Sequence, residues 1–168
     1  SVLLRAARRL REREDIIFVL GGSGDNFEAI RQQARDLPNL RLTGWLNREQ
    51  IYALLSHSHA GVVSGAPGTE AFPNKSFVYF SMGLPLLSSM EGDLRHFIEQ
   101  KETGLYFHPD NDADLVNCIL KLKDDPALQK KMSDNSRRVF LEKLDADKIY
   151  QAYADHVEHM AAKQHTGA

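Results

Sequence analysis

The sequence runs to 168 residues, 42% hydrophobic and 26% charged, with 21 Lys and Arg against 23 Asp and Glu for a formal net charge of −2. That is the profile of one ordinary soluble domain, with no global attraction to nucleic acid. A chain of this length buries roughly two thirds of the surface it exposes unfolded, so its core needs neither disulfide nor structural metal; the single Cys118 can form no internal bridge, and apolar runs of four or five residues fall far short of the roughly 20 that a spanning helix requires.

The chain opens at Ser1 directly in an amphipathic segment, which reads as a fragment of something longer. Val2, Leu3, Leu4, Ala7 and Leu10 make one apolar stripe at helical spacing, and Arg5, Arg8, Arg9 and Arg11 form a solvated opposite face. A strand-sized run follows at residues 16–20, then the glycine loop 21–25, then a helix over 25–37 that Asp25 or Asn26 can cap and Pro38 closes. Residues 40–42 form the next strand. Asn47 starts a helix with Gln50 at the capping-box position, carrying Ile51, Leu54 and Leu55. After the strand at 60–63 comes an irregular stretch over 65–75, a helix over 75–81 stopped by Gly83, a strand at 85–87, a short helix over 93–100 and a last strand at 104–107.

This alternation implies an α/β domain, a Rossmann-like parallel sheet with flanking crossover helices. Beyond Pro109 only helices are expected, over 112–124, 127–144 and 146–163, as a helical C-terminal tail that packs on the sheet or reaches to another domain; the end, from Gln164 to Ala168, reads as frayed. With no repeat, low-complexity tract or linker, residues 1–168 form a single domain.

Two loops carry candidate chemistry. Gly21, Gly22, Ser23, Gly24 and Asp25 lie after a strand and before a helix, where backbone amides can approach a phosphate or a sugar; a plain tight turn is the other reading. The dinucleotide fingerprint is absent, since Phe27 stands where its last glycine belongs and no acid ends the strand finishing Leu42-Thr43-Gly44, which disfavours a nicotinamide-dependent dehydrogenase. The second loop, 65–75, exceeds the usual length of such a connection and delivers Pro73 and Asn74 into a helix whose first free amides come from Lys75, Ser76 and Phe77, beside the lysine ammonium. That outlines an anion site, or else a capped helix with a solvated lysine.

The run Phe72-Pro73-Asn74-Lys75-Ser76-Phe77-Val78-Tyr79-Phe80-Ser81-Met82-Gly83-Leu84-Pro85-Leu86-Leu87, with Glu91-Gly92 and Glu102-Thr103-Gly104-Leu105 after it, strongly resembles the nucleotide-sugar-binding domain of family 4 glycosyltransferases. These are retaining enzymes of the GT-B fold, two Rossmann-like halves about a cleft, and the similarity covers nearly the whole chain. The resemblance implies that this is one half of a GT-B fold, the C-terminal donor domain. It assigns catalytic roles to Glu70, reaching the donor sugar, and to Lys75. It further implies that Asn74, Lys75, Ser76 and Phe77 meet the diphosphate, that Gly22 and Gly24 pass near the nucleotide, and that Trp45 and Leu46 hold the base. The family's second acid falls eight residues after Glu70, where it would bind ribose hydroxyls. Val78 stands there, and losing such a charged acceptor typically weakens an interaction by about 1.5 to 3 kcal/mol.

The activity that the resemblance implies is transfer of a hexose from a nucleoside-diphosphate sugar to a glycan or lipid-linked acceptor, with retention and no metal cofactor, in polysaccharide, glycolipid or lipid-linked oligosaccharide synthesis. The first strand and the N-terminal acceptor domain of relatives are missing, so the chain alone is expected to be inactive. A cytoplasmic location, peripheral at the inner face of a membrane through the rest of the protein, is expected. The alternative is a catalytically degenerate nucleotide-sugar-like domain acting as an assembly or interaction module, with Val78 as its mark. No metal site is expected: His156 and His159 lack a third ligand, His57 and His59 read as surface residues, and His96 and His108 stand near loops on the ligand side. Cys118, among Val116, Ile119 and Leu120, reads as a buried inert thiol.

Overall fold

The computed structural model describes residues 1–165, with side chains through residue 160. Parallel strands β1 (Phe18–Gly21), β2 (Leu40–Gly44), β3 (Gly61–Val63), β4 (Leu86–Ser88) and β5 (Gly104–Tyr106) alternate with helices α1 (Val2–Arg9), α2 (Phe27–Gln33), α3 (Arg48–Ser56), α4 (Asn74–Ser81) and α5 (Asp93–Gln100). Helices α6 (Asp112–Asp124) and α7 (Pro126–Val139), a π-helical turn (Phe140–Leu144) and α8 (Ala146–His165) follow.

The hydrogen-bonded ladder comes in two pieces, β1–β2 and β3–β4–β5. Phe18 lies opposite Leu40 and Leu20 opposite Leu42, while Leu86 sits between Gly61 and Gly104. A single apolar cluster joins both pieces, bringing Phe18, Leu40, Leu87 and Phe107 together with Leu4 and Ala7 of α1 and Leu115 and Leu122 of α6. On the other face, Val63 and Leu86 pack with Phe80 of α4 and with Leu94 and Ile98 of α5. Burial on both faces is why β3 and β4 read as continuous apolar runs instead of alternating ones. β1 differs: Phe18 is buried, but Val19, and Ile17 just before the strand, are 40% and 58% exposed. Helix α3, the crossover between the two ladders, buries only Leu55.

Local signals explain most element ends. Asn47 Oδ1 accepts from the Gln50 amide at 2.9 Å and Gln50 Oε1 from the Asn47 amide at 3.0 Å, the reciprocal capping expected of that pair. The first strand begins at Phe18 instead of residue 16, because Ile16 donates to the Arg13 carbonyl in a turn. Helix α2 is shorter than residues 25–37: Asn26 supplies no side-chain cap, no residue of the helix is buried, and a turn carries the chain from Ala34 to Leu37. The helix expected over 127–144 ends at Val139, and the π-helical turn brings Phe140 and Leu144 onto the cluster around Phe80. Every described side chain of α8 from residue 147 on is exposed, including Ile149, Tyr150, Tyr153, Val157 and Met160 at helical spacing, so this helix does not pack on the sheet. The expected fraying of residues 166–168 lies outside the described residues, and Gln164 and His165 are helical.

Two sets of polar contacts lock α1 in place. Asn39 Nδ2 donates to the carbonyls of Ala7 and Leu10, both at 2.9 Å, closing the end of the helix inside the core. Arg5 and Arg9 are not merely solvated: both engage Asp112 at the start of α6, and Arg5 also reaches Asp110. Hydrogen bonds from Arg5 and Arg9 hold the Asp112 carboxyl down at about 2 from an ordinary 3.8. Because the folded value lies below the unfolded one, this contribution is complete above about pH 4 and is lost as pH falls toward 2. The expected outcome is a melting temperature that drops over that window, with a smaller drop in Asp112→Asn, measured by circular dichroism.

Candidate functional site

Within each ladder the parallel strands present their carboxyl ends on one edge, and the candidate loops leave from the carboxyl ends of β1, β2, β3 and β4. After β1, Gly22 adopts a φ of +136° and donates to the Gly44 carbonyl at 2.7 Å, tying the glycine loop to the end of β2. A Cβ added at Gly22 or Gly24 would meet nothing within 4 Å, so both face open space. Leu46 lies against Gly21, and neighbouring Trp45 is 73% exposed. These residues form one half of the candidate site, a polar backbone loop beside an exposed indole.

The other half leaves from β3. The Gly65 amide donates to Ser89 Oγ at 3.0 Å, and the Glu91 amide donates to the Thr69 carbonyl at 3.0 Å, so the long loop is fastened along the segment after β4. Glu70 and Glu91 form an isolated parallel bridge at its end. Glu70, Ala71, Phe72, Gly92 and Asp93 then line a concavity of about 200 Å³. Phe72 stacks on Phe77 with ring centroids 5.0 Å apart and meets Phe97 edge-on at 5.4 Å, which fixes the entry into α4. The concavity therefore has carboxylates at Glu70 and Asp93 and an aromatic wall.

Helix α4 starts at Asn74 after Pro73, with no side-chain cap and no acid in its first turn. The Ser76 amide is not free as the sequence suggested: it donates to the Pro73 carbonyl at 2.9 Å. The Ser76 hydroxyl is fully buried and, among the described residues, has no partner. Asn74 and Lys75 are exposed, and Lys75 has no ion-pair partner among the described residues. With neither a cap nor a first-turn acid, this positive helix end is able to receive an anion. Val78 lies half-buried one turn further on.

The structure thus brings Glu70 to the helix that carries Asn74, Lys75, Ser76 and Phe77, and separately brings the Gly22 loop to the segment of Trp45 and Leu46, each group at the carboxyl ends of its own ladder. Sequence reasoning missed the tie between Glu91 and the Glu70 loop, because only the parallel alignment of β3 and β4 juxtaposes residues 21 positions apart. His108, expected near the ligand loops, follows β5, and its Nδ1 pairs with Asp114 at 2.6 Å. Cys118 is half-buried, with its thiol against the Tyr106 carbonyl; burial raises it to about 11, as suits an inert thiol. Among the described residues no three His, Cys, Asp or Glu gather as a metal site would require, and no helix is long and apolar enough to cross a membrane.

Known proteins resemble this chain in sequence and in fold. Residues 1–139 match the family described as Glycosyl transferases group 1. O-antigen chain mannosyltransferase C of Escherichia coli is 31% identical over 157 residues, 92% of this chain and 41% of that protein. Lipopolysaccharide core biosynthesis glycosyltransferase LpsD of Rhizobium meliloti (strain 1021) is 26% identical over 160 residues, 94% of this chain and 46% of that protein. The chain therefore spans less than half the length of either relative. The crystal structure of HepE from Anabaena in complex with UDP has the same fold, with a TM-score of 0.80 at 18% identity over 94% of this chain and 44% of that one.

Proposed function

The chain belongs to the group 1 glycosyl transferases and folds as one half of their GT-B architecture, and from that premise we propose that it is the donor-binding half of an enzyme that transfers a hexose from a nucleoside diphosphate to a glycan or lipid-linked acceptor with retention. The observation that carries this reading is the uncapped start of α4, with Lys75 beside it and Glu70 four residues before the helix. Negative charge grows on the diphosphate as the glycosidic bond breaks. A helix terminus and an ammonium already in place stabilise that charge without reorganisation, which is the form of catalysis this geometry can supply without a metal cofactor. Glu70, at the concavity with Phe72, receives sugar hydroxyls. Gly22 and Gly24 pass along the nucleotide, and the exposed face of Trp45 and the backbone of Leu46 meet its base.

Two features support a larger whole. The ladder comes in two unpaired pieces, and the apolar Ile17 just before β1, Val19 within it, and Ile51 and Tyr52 of α3 are left exposed. A strand supplied from upstream would join the ladders and cover these side chains. The exposed apolar stripe of α8 fits packing against an acceptor-binding lobe, and a lipid-linked acceptor would hold the whole enzyme at the cytoplasmic face of a membrane. The relatives named for O-antigen chain and lipopolysaccharide core synthesis support a glycan acceptor.

Titration calorimetry with UDP, GDP and ADP on the protein extended by its upstream segment tests the reading, and millimolar or tighter binding of at least one is expected. Val78→Glu should tighten that binding about tenfold, the scale of one restored charged hydrogen bond to ribose. Unchanged or weaker affinity in this variant rejects the ribose argument. Failure of all three nucleotides to bind rejects the enzyme reading in favour of an assembly module.

A further inference from the structure

We infer that Tyr106 is a positioning residue for the donor site: together with Arg95 it clamps Glu91, and the clamped Glu91–Gly92 turn fixes Glu70 at the sugar concavity. The inference rests on the donor-binding reading of that concavity and adds to it a residue from another strand.

The chain of contacts is continuous. Tyr106 ends β5, and its hydroxyl donates to Glu91 Oε1. Arg95, on α5, donates from Nη1 to Glu91 Oε2 at 3.2 Å and lays its guanidinium over the Tyr106 ring, 3.9 Å from the centroid. Glu99 takes Arg95 Nε at 3.1 Å, which fixes the guanidinium from behind. The ring of His108 packs edge-on against Tyr106 at 5.4 Å. Both oxygens of Glu91 are therefore occupied, and this carboxylate serves as an anchor. Its charge is secured by the Tyr106 hydroxyl first and Arg95 second, which hold it below the usual carboxylate range. Burial and the neighbouring Glu91 push Tyr106 up to about 12, so the hydroxyl stays a donor at neutral pH.

The Glu91 backbone passes this restraint on. Its amide donates to Thr69, its residue bridges Glu70, and Gly92, at a φ of +67°, lies under the Glu70 stem. A Cβ at Gly92 would stand 3.3 Å from Glu70 Cβ and 3.4 Å from Cγ. Glu70 itself has no side-chain hydrogen bond or ion pair among the described residues. Its carboxylate is placed by the backbone beneath it, and that backbone is held from Tyr106.

The test uses the full-length protein and two ligands, a nucleoside diphosphate and the corresponding nucleotide sugar, with affinities from titration calorimetry. Tyr106→Phe keeps the ring under Arg95 and removes only the donor. Expected is an unchanged nucleoside-diphosphate affinity, which also certifies the fold, and a nucleotide-sugar affinity lower by about fivefold, the scale of one charged hydrogen bond passed on in part. Glu70→Ala should lower the same ratio at least as much, and Tyr106→Phe added to it should lower it no further. Equal loss for both ligands, no change in the ratio, or additive losses in the double variant would each overturn the inference. A wild-type protein that binds neither ligand would overturn the donor-binding reading itself, and this inference with it.

Discussion

Alanine at Gly104 lowers the unfolding free energy by about 3 kcal/mol, the upper range for forcing an atom into a packed interior. The residue begins β5, is buried, and pairs with Leu86 in the centre of the three-stranded ladder. A Cβ there would stand 2.7 Å from the Leu86 carbonyl carbon and 2.9 Å from its nitrogen, with the carbonyl oxygen closer still. These are backbone atoms of a strand whose Leu86 amide is already bonded to Thr103 at 2.9 Å, so they cannot step aside without breaking the ladder. The damage extends beyond one strand, since Leu86 and Leu87 of β4 point into opposite clusters. Gly24→Ala is the control: its added methyl meets nothing within 4 Å, and stability should move by less than about 0.5 kcal/mol. Urea titrations followed by circular dichroism compare the two. A Gly104→Ala protein within about 1 kcal/mol of wild type, the size of an average substitution, would show that β4 and β5 can separate without penalty.

How much of this was legible beforehand differs by kind of signal. The order of strands and helices, the capping box at Asn47 and Gln50 and the stop at Gly83 are local, set by residue types within a few positions, and they stand where periodicity and capping rules place them. Helix α2 and residues 140–144 differ from the sequence expectation because composition cannot show whether an apolar residue finds a partner: Ile30 only leans on the core, while Phe140 is drawn onto the cluster of Phe80 by a wider turn. The salt link from Arg5 and Arg9 to Asp112 spans over 100 positions and leaves no trace in either segment alone. The site divides in the same way. The glycine loop, the Pro73 entry and Lys75 were visible as a motif, whereas Glu91, Arg95 and Tyr106 come together only because β4 and β5 are adjacent and parallel.

Removing the ammonium of Lys75 should reduce kcat/KM of the full-length enzyme by about 100-fold, comparable to the loss of one preorganised donor to a developing anion. The helix end at which Lys75 sits is uncapped, carries no acid in its first turn, and has one of its early amides, that of Ser76, turned back to Pro73. On the donor-binding reading proposed above, fewer backbone donors would then face the diphosphate, and more of the balancing charge would fall to the side chain. On that same reading the leaving group becomes more negative as the sugar departs, so the ammonium would interact more strongly with the transition state than with the bound donor. The loss in Lys75→Ala should therefore appear mainly in kcat, with a smaller weakening of donor affinity. Lys75→Arg keeps the charge at a different geometry and should recover part of the rate. Steady-state kinetics with the enzyme's own donor, following released nucleoside diphosphate, separates the two parameters. A variant whose kcat stays within about twofold of wild type would place charge stabilisation elsewhere, and the start of α4 would then be a binding platform with no part in bond cleavage.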